Sequence, residues 1–104
     1  MRRDDAIRLR HMFDAAREAL AFAAQRARAD LNHDRMLVLA LMKDIEIIGE
    51  AANQISESAR KELPNIPWQD IIAMRHRMVH AYFEINLDIL WQTVRSDRTH
   101  LLEG

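Results

Sequence analysis

The stretch 75–82 reads RHRMVHAY and concentrates two arginines, two histidines and a tyrosine within one predicted helix. On a projection of about 100° per residue, six apolar or aromatic side chains fall within roughly 60° of Arg75: Trp68, Ile71, Ile72, Met78, Val79 and Tyr82. The sequence therefore places a permanently charged guanidinium in the middle of the stripe that a helix normally buries. Since burying it unpaired is costly, a carboxylate or a functional cleft must meet it.

The pattern leaves two interpretations of Arg75 open. The structural one is a salt bridge to Glu46 or Glu50 of the preceding predicted helix, and the functional one is a group that binds an anion. Glu50 and Asn53 lie with Glu46 along one margin of that helix. There they form either a solvated edge or a supporting polar shell that faces the site, and the spacing does not choose between these two roles.

The histidines limit the chemistry that the stretch can perform. His76 and His80 have the i, i+4 spacing of a helical metal pair, but no third ligand stands out, so we expect no metal site and no other cofactor. None of the serines has the context of a nucleophile. Metal-free phosphoryl transfer needs only a histidine that moves protons near neutral pH and an arginine that holds a phosphate. Because RNA brings its own nucleophile, the 2′-hydroxyl, an arginine and a histidine are a minimal set for RNA cleavage.

The rest of the chain predicts helices. Among 104 residues, glycine and proline occur only twice each, and no alternating strand pattern is visible. We therefore predict an all-α, antiparallel bundle of four or five helices in a single domain spanning residues 1–104. Gly49 lies on the apolar stripe of the second helix, where it costs roughly 1 kcal/mol relative to alanine. Close contact with another helix is expected to offset that cost.

The capping and turn residues predict where these helices begin and end. The first helix is expected over residues 5–29, and the second from a cap at Asn32 or Asp34 to about residue 61. Pro67 suits the start of the third helix, which carries the stretch 75–82. Asn86 resembles the cap of a fourth.

Composition limits the function classes further. The net charge of −1 leaves no global basic field for nucleic acid, so any phosphate contact must come from a local concentration of basic side chains. The absence of cysteine excludes disulfides, thiol nucleophiles and cysteine zinc sites. The longest apolar run, residues 36–42, is far too short to cross a bilayer. Charged residues follow Arg2 and Arg3 instead of a signal-peptide core, so a cytoplasmic protein is expected.

The arrangement Arg75-x4-His80-x-Tyr82 resembles the motif of HepT-like toxins, in the HEPN superfamily of helical ribonucleases. Three flanking stretches agree with the same family: 48–53 (IGEAAN), 66–68 (IPW) and 87–91 (LDILW). The resemblance runs from about residue 36 to residue 91. The residue after the arginine is most often asparagine in this family, whereas here it is His76, although the wider superfamily accepts a histidine at this position.

The resemblance implies a bundle that forms a homodimer, with possible higher assembly, and that brings two Arg/His sets to one cleft. It further implies metal-independent RNA cleavage with Arg75 and His80 as the catalytic pair. His76 and Arg77 are secondary candidates for binding the phosphate backbone. The implied partner is a minimal nucleotidyltransferase antitoxin, which adds AMP to the motif tyrosine, here Tyr82. An alternative hypothesis, motivated by the near-neutral charge, is a non-catalytic helical module that binds nucleic acid or a partner.

Overall fold

The computed structural model describes residues 2–80 and 87–95, with the backbone alone for residues 77–80. Five α-helices and one 3-10 turn, at Arg28–Asn32, make up the described part of the chain. The helices are α1 (Arg3–Ala23), α2 (Arg35–Gln54), α3 (Glu57–Glu62), α4 (Trp68–His80) and α5 (Leu87–Arg95). The predicted all-α bundle is confirmed, and Asn86, the expected cap of the last helix, lies outside the described residues.

The first helix ends six residues earlier than predicted, at Ala23. The chain then reverses through Gln25, whose φ of 61° lies in the left-handed region, and buries Leu31. Asp30 stabilises the reversal by accepting a hydrogen bond from the backbone N–H of Ala27 at 2.7 Å. Arg26 pairs with Asp30 and with Asp34. Local polar contacts and the burial of one leucine thus override the helix propensity of residues 24–29.

Asp34 caps α2, as one of the two predicted positions, because its side chain accepts from the backbone N–H of Leu37 at 3.0 Å. The second helix was predicted to continue to residue 61, but it stops at Gln54 and α3 begins two residues after an extended Ile55. Ser56 causes the break, since its hydroxyl caps α3 by accepting from the N–H of Ala59. Serine competes with the helical backbone in this way and favours such corners.

The core divides into two clusters along the bundle, and α2 contributes to both because it packs against α1 and α4. The α3-side cluster contains Leu9, Met12, Ala15, Ala16, Ile48, Ala51, Ala52, Ile55, Ala59, Ile66, Trp68 and Ile71. The α5-side cluster contains Ala19, Ala23, Leu31, Leu37, Val38, Leu41, Ile45, Met74, Leu90 and Val94. Helix α4 passes from the first cluster at Trp68 to the second at Met74. Arg75 therefore follows directly on Met74, a residue of the second cluster.

Candidate active site

The start of α4 is held in place by the side chains of Trp68 and Arg60. The indole N–H of Trp68 donates to the carbonyl of Leu63 at 3.0 Å, and the guanidinium of Arg60 lies 6.0 Å from the centre of the indole ring. Arg60 also donates to the carbonyls of Ala52 and Asn53, at 2.9 and 3.3 Å, at the end of α2. These contacts fix the position of α4 relative to α2. The sequence did not predict a role for Arg60, because this residue belongs to no recognisable short-range pattern.

Arg75 lies at the edge of the buried face of α4 and is half-buried. Its Nε is shielded from solvent and has no hydrogen-bond partner. Among residues 2–80 and 87–95, no carboxylate lies within ion-pair distance of its guanidinium, although ion pairs occur elsewhere on the surface. The salt bridge to Glu46 or Glu50, the structural interpretation of this arginine, is therefore not formed. No described carboxylate therefore competes with an anion for this guanidinium.

Gly49 of α2 lies directly against the stem of Arg75. A β-carbon built at position 49 would overlap Cβ and Cγ of Arg75 and would lie 3.2 Å from its Cδ. The expected close contact at this glycine is therefore present, and its partner is the candidate catalytic arginine.

The two residues of the predicted polar shell, Glu50 and Asn53, have different surroundings in the structure. Glu50 is exposed and lines a groove of about 340 Å³ that Arg8 and His11 of α1 also line. Asn53 is exposed, and its backbone carbonyl accepts from Arg60. Neither side chain makes a polar contact with Arg75 among the described residues, so their support of the site stays a prediction.

The remaining predicted residues lie in or beyond the last two turns of α4. His76 is exposed. Arg77 and His80 belong to α4, and their side chains fall outside the described atoms. Since a helix rises about 1.5 Å per residue, the Cα atoms of Arg75 and His80 are separated by about 7.5 Å along the axis. Tyr82 lies outside the described residues.

Asp44 of α2 is a buried carboxyl group that the sequence reading missed. Only 1% of its surface is exposed, and its Oδ2 has no hydrogen-bond partner. Burial raises the pKa of Asp44 to about 7, and a hydrogen bond with the neighbouring carboxylate of Glu18 adds to the shift. The sequence did indicate this burial, because Asp44 falls on the apolar stripe of α2 together with Leu41, Ile45 and Ile48. The projection that identified Arg75 would have found it.

The described side chains contain no group of three histidine, aspartate or glutamate residues close enough to share a metal ion. Within the same part of the chain, no helix combines the length and apolar character needed to cross a bilayer. Within the described residues, an arginine without an ion-pair partner lies at the edge of the core of a helical bundle. A histidine follows it five residues later in the same helix.

An all-helical domain with this arginine and histidine pattern is of the HEPN class. Comparison with known families makes the assignment specific: the chain belongs to the Ribonuclease HepT-like family, whose profile matches residues 12–103. The resemblance that the motif around Arg75 indicated is thereby confirmed.

Two curated relatives illustrate the similarity. "Putative RNase MJ1380" of Methanocaldococcus jannaschii is 29% identical over 96 residues, which cover 92% of this chain and 88% of that protein. "Probable ribonuclease HepT" of Thermococcus cleftensis is 38% identical over 64 residues, covering 62% of this chain and 58% of that protein. No solved structure matches the chain.

Proposed function

We propose that this chain is a metal-independent endoribonuclease and the toxin of a toxin–antitoxin pair, with Arg75 and His80 as its catalytic residues. The observation that carries the proposal is the half-buried Arg75 of a ribonuclease-family member: its Nε has no hydrogen-bond partner, and its guanidinium meets no carboxylate among residues 2–80 and 87–95. A protein gains no stability from leaving a charged group unpaired at its core. An anionic substrate gives that arrangement a purpose.

The proposed reaction uses the nucleophile of the RNA itself. The 2′-oxygen attacks the adjacent phosphorus while His80 takes the proton of the 2′-hydroxyl. The bond from phosphorus to the 5′-oxygen breaks, and that oxygen takes up a proton from solvent water as it leaves. The products are a 2′,3′-cyclic phosphate and a 5′-hydroxyl. Arg75 binds the phosphate and stabilises the charge that builds up on its oxygens in the transition state, and His76 and Arg77 contact neighbouring phosphates.

The proposed assembly is a homodimer in which two Arg/His sets face one cleft, and its proposed regulator is a minimal nucleotidyltransferase antitoxin. In this scheme the antitoxin transfers AMP to the hydroxyl of Tyr82. The added phosphate is anionic and lies two residues from His80 in sequence, so it competes with RNA for Arg75. Intact mass after co-expression with such an enzyme tests this part, because a Tyr82→Phe variant must lose the added AMP.

The central test is RNA cleavage by Arg75→Ala and His80→Ala in buffer that contains EDTA. We expect each variant to cleave at least about a hundredfold more slowly than the parent protein. Arg10→Ala and His33→Ala are matched controls, because these side chains are 77% and 72% exposed, and they should cleave normally. Unchanged cleavage by Arg75→Ala would refute the assignment.

A second candidate function, a non-catalytic binding module, is favoured by the net charge of −1. It predicts that expression without a partner does not harm the cell. Growth arrest that Arg75→Ala relieves would exclude it, whereas growth arrest that persists in the variant would exclude the proposed catalytic role.

A further inference from the structure

We infer that Gly49 is a positioning residue for Arg75: the missing side chain at position 49 sets where the guanidinium lies. The inference rests on the proposed function for its catalytic consequence. The geometry begins with the overlap described above, in which a β-carbon at position 49 would collide with Cβ and Cγ of Arg75. The Cβ of Arg75 is fixed by the backbone of α4, so no change of rotamer can relieve its collision with a β-carbon at position 49. Helix α4 would have to move away from α2.

Packing is what holds the arginine in place. A carboxylate can position an arginine by binding its guanidinium through two parallel hydrogen bonds. Arg75 has no such partner among the described residues, and its Nε is buried without an acceptor. Its stem on Gly49 is therefore the contact that determines its depth. Because no ion pair would hold the guanidinium in place, a shift of α4 would carry the guanidinium with it.

The neighbours of Gly49 on α2 make the position specific. Ile45 and Ala52 lie about one turn before and after it, and both are buried. By helical spacing they flank Gly49 on the same face of α2. Glycine lowers helix stability relative to alanine. Helix propensity alone therefore predicts that Gly49→Ala stabilises the protein, and the geometry predicts the reverse.

The experiment compares Gly49→Ala with Ala16→Val, which also adds bulk to the core. Ala16 is fully buried in α1 and belongs to the α3-side cluster. Both variants are first examined by thermal unfolding, and single-turnover RNA cleavage is then measured at a temperature where both are folded. We expect Gly49→Ala to lower the rate constant by about tenfold to a hundredfold, because catalysis is sensitive to displacements of about 1 Å. The RNA concentration at half saturation should change far less, and Ala16→Val should cleave at the parent rate.

A second measurement does not depend on cleavage. In the parent protein the buried Nε–H of Arg75 should exchange slowly with solvent in NMR spectra, assigned with the variant Arg75→Lys. Gly49→Ala should accelerate this exchange by at least about tenfold, since the displaced stem lets water reach the group. Ala16→Val should leave it unchanged.

The outcomes separate the inference from the proposed function. If Arg75→Ala cleaves normally, the proposed function fails, and the exchange of the Nε–H still decides whether Gly49 positions the arginine. If Arg75→Ala is impaired but folded Gly49→Ala keeps both the parent rate and slow exchange, the inference is overturned. It is also overturned if Ala16→Val loses cleavage to the same extent as Gly49→Ala.

Discussion

Asp44, like Arg75, is an ionisable residue on an apolar stripe, and its side chain is more deeply buried than that of Arg75. Burial and the carboxylate of Glu18 raise the pKa of Asp44 to about 7. The unfolded chain releases this proton near the usual value of 3.8. Between these two values the folded state binds more protons than the unfolded state, so the contribution of Asp44 to stability decreases as pH rises from about 4 to 7.

The variant Asp44→Asn should therefore be more stable than the parent protein at pH 8, by about 1–3 kcal/mol. Asparagine keeps the shape of the side chain, carries no charge at any pH, and can donate a hydrogen bond to Glu18. The gain should shrink as pH falls from 7 to 5, which urea unfolding at several pH values would reveal. Asp14→Asn is the control, because Asp14 is 56% exposed and pairs with Arg10. A gain of equal size at pH 5 and pH 8 would contradict the explanation.

At the scale of single residues, the sequence predicted that the charge of Arg75 falls on an apolar stripe, but it did not predict which group, if any, meets that charge. Helical projection shows that a charge falls on an apolar stripe, because periodicity is local. Whether a carboxylate meets the charge depends on the lateral register of α2 against α4, which no local pattern encodes. The sequence offered Glu46 or Glu50 as the ion-pair partner of Arg75, and neither forms that ion pair in the structure; Glu50 lines the groove along α1.

Among the helices, the corner between α2 and α3 shows how polar contacts divide a predicted element. Asp5 of α1 is buried, and it accepts hydrogen bonds from the Oγ and the backbone N of Ser56, at 2.7 and 2.9 Å. These hydrogen bonds, the hydroxyl first, lower the pKa of Asp5, with Arg2 and Arg8 adding to the shift. The contact joins the start of α1 to the start of α3 across 51 residues of sequence. The helix propensity of residues 50–61 does not predict this contact.

Removing the Ser56 hydroxyl should destabilise the protein by about 1–2 kcal/mol, since Ser56→Ala loses both a helix cap and a hydrogen bond to a carboxylate. Ser58→Ala is a matched control two residues away: Ser58 is exposed, and its described polar contact is with Ser56. Its effect should stay within about 0.5 kcal/mol. Thermal unfolding at pH 7 measures both. Below the usual pKa of Asp5 the difference between the variants should shrink, because protonation weakens the carboxylate as an acceptor. Equal losses in the two variants would refute this account of the corner.

At the scale of the whole molecule, α4 connects the two core clusters, and the candidate site lies where it enters the second. The first turns of α4 are fixed by Trp68 and Ile71 in the α3-side cluster, and its later turns depend on Met74 in the α5-side cluster. Helix α5 completes that second cluster with Leu90 and Val94, which are 0% and 1% exposed. An ion pair of 2.6 Å between Arg28 and Asp88 ties α5 to the 3-10 turn. Among the described residues, α5 therefore supports the candidate site through packing in the α5-side cluster.

The variant Leu90→Ala should consequently destabilise the later turns of α4, which carry the candidate site, without changing a residue of the site itself. Removing a fully buried leucine is expected to cost about 2–5 kcal/mol of unfolding free energy. Asp88→Ala removes only the exposed ion pair to Arg28 and should cost about 0.2–1 kcal/mol. Native-state hydrogen exchange should show faster opening of amides 74–80 than of amides 70–73 in Leu90→Ala, because only the later turns of α4 lean on the α5-side cluster. Uniform acceleration along all of α4 would mean that the two clusters unfold as one unit.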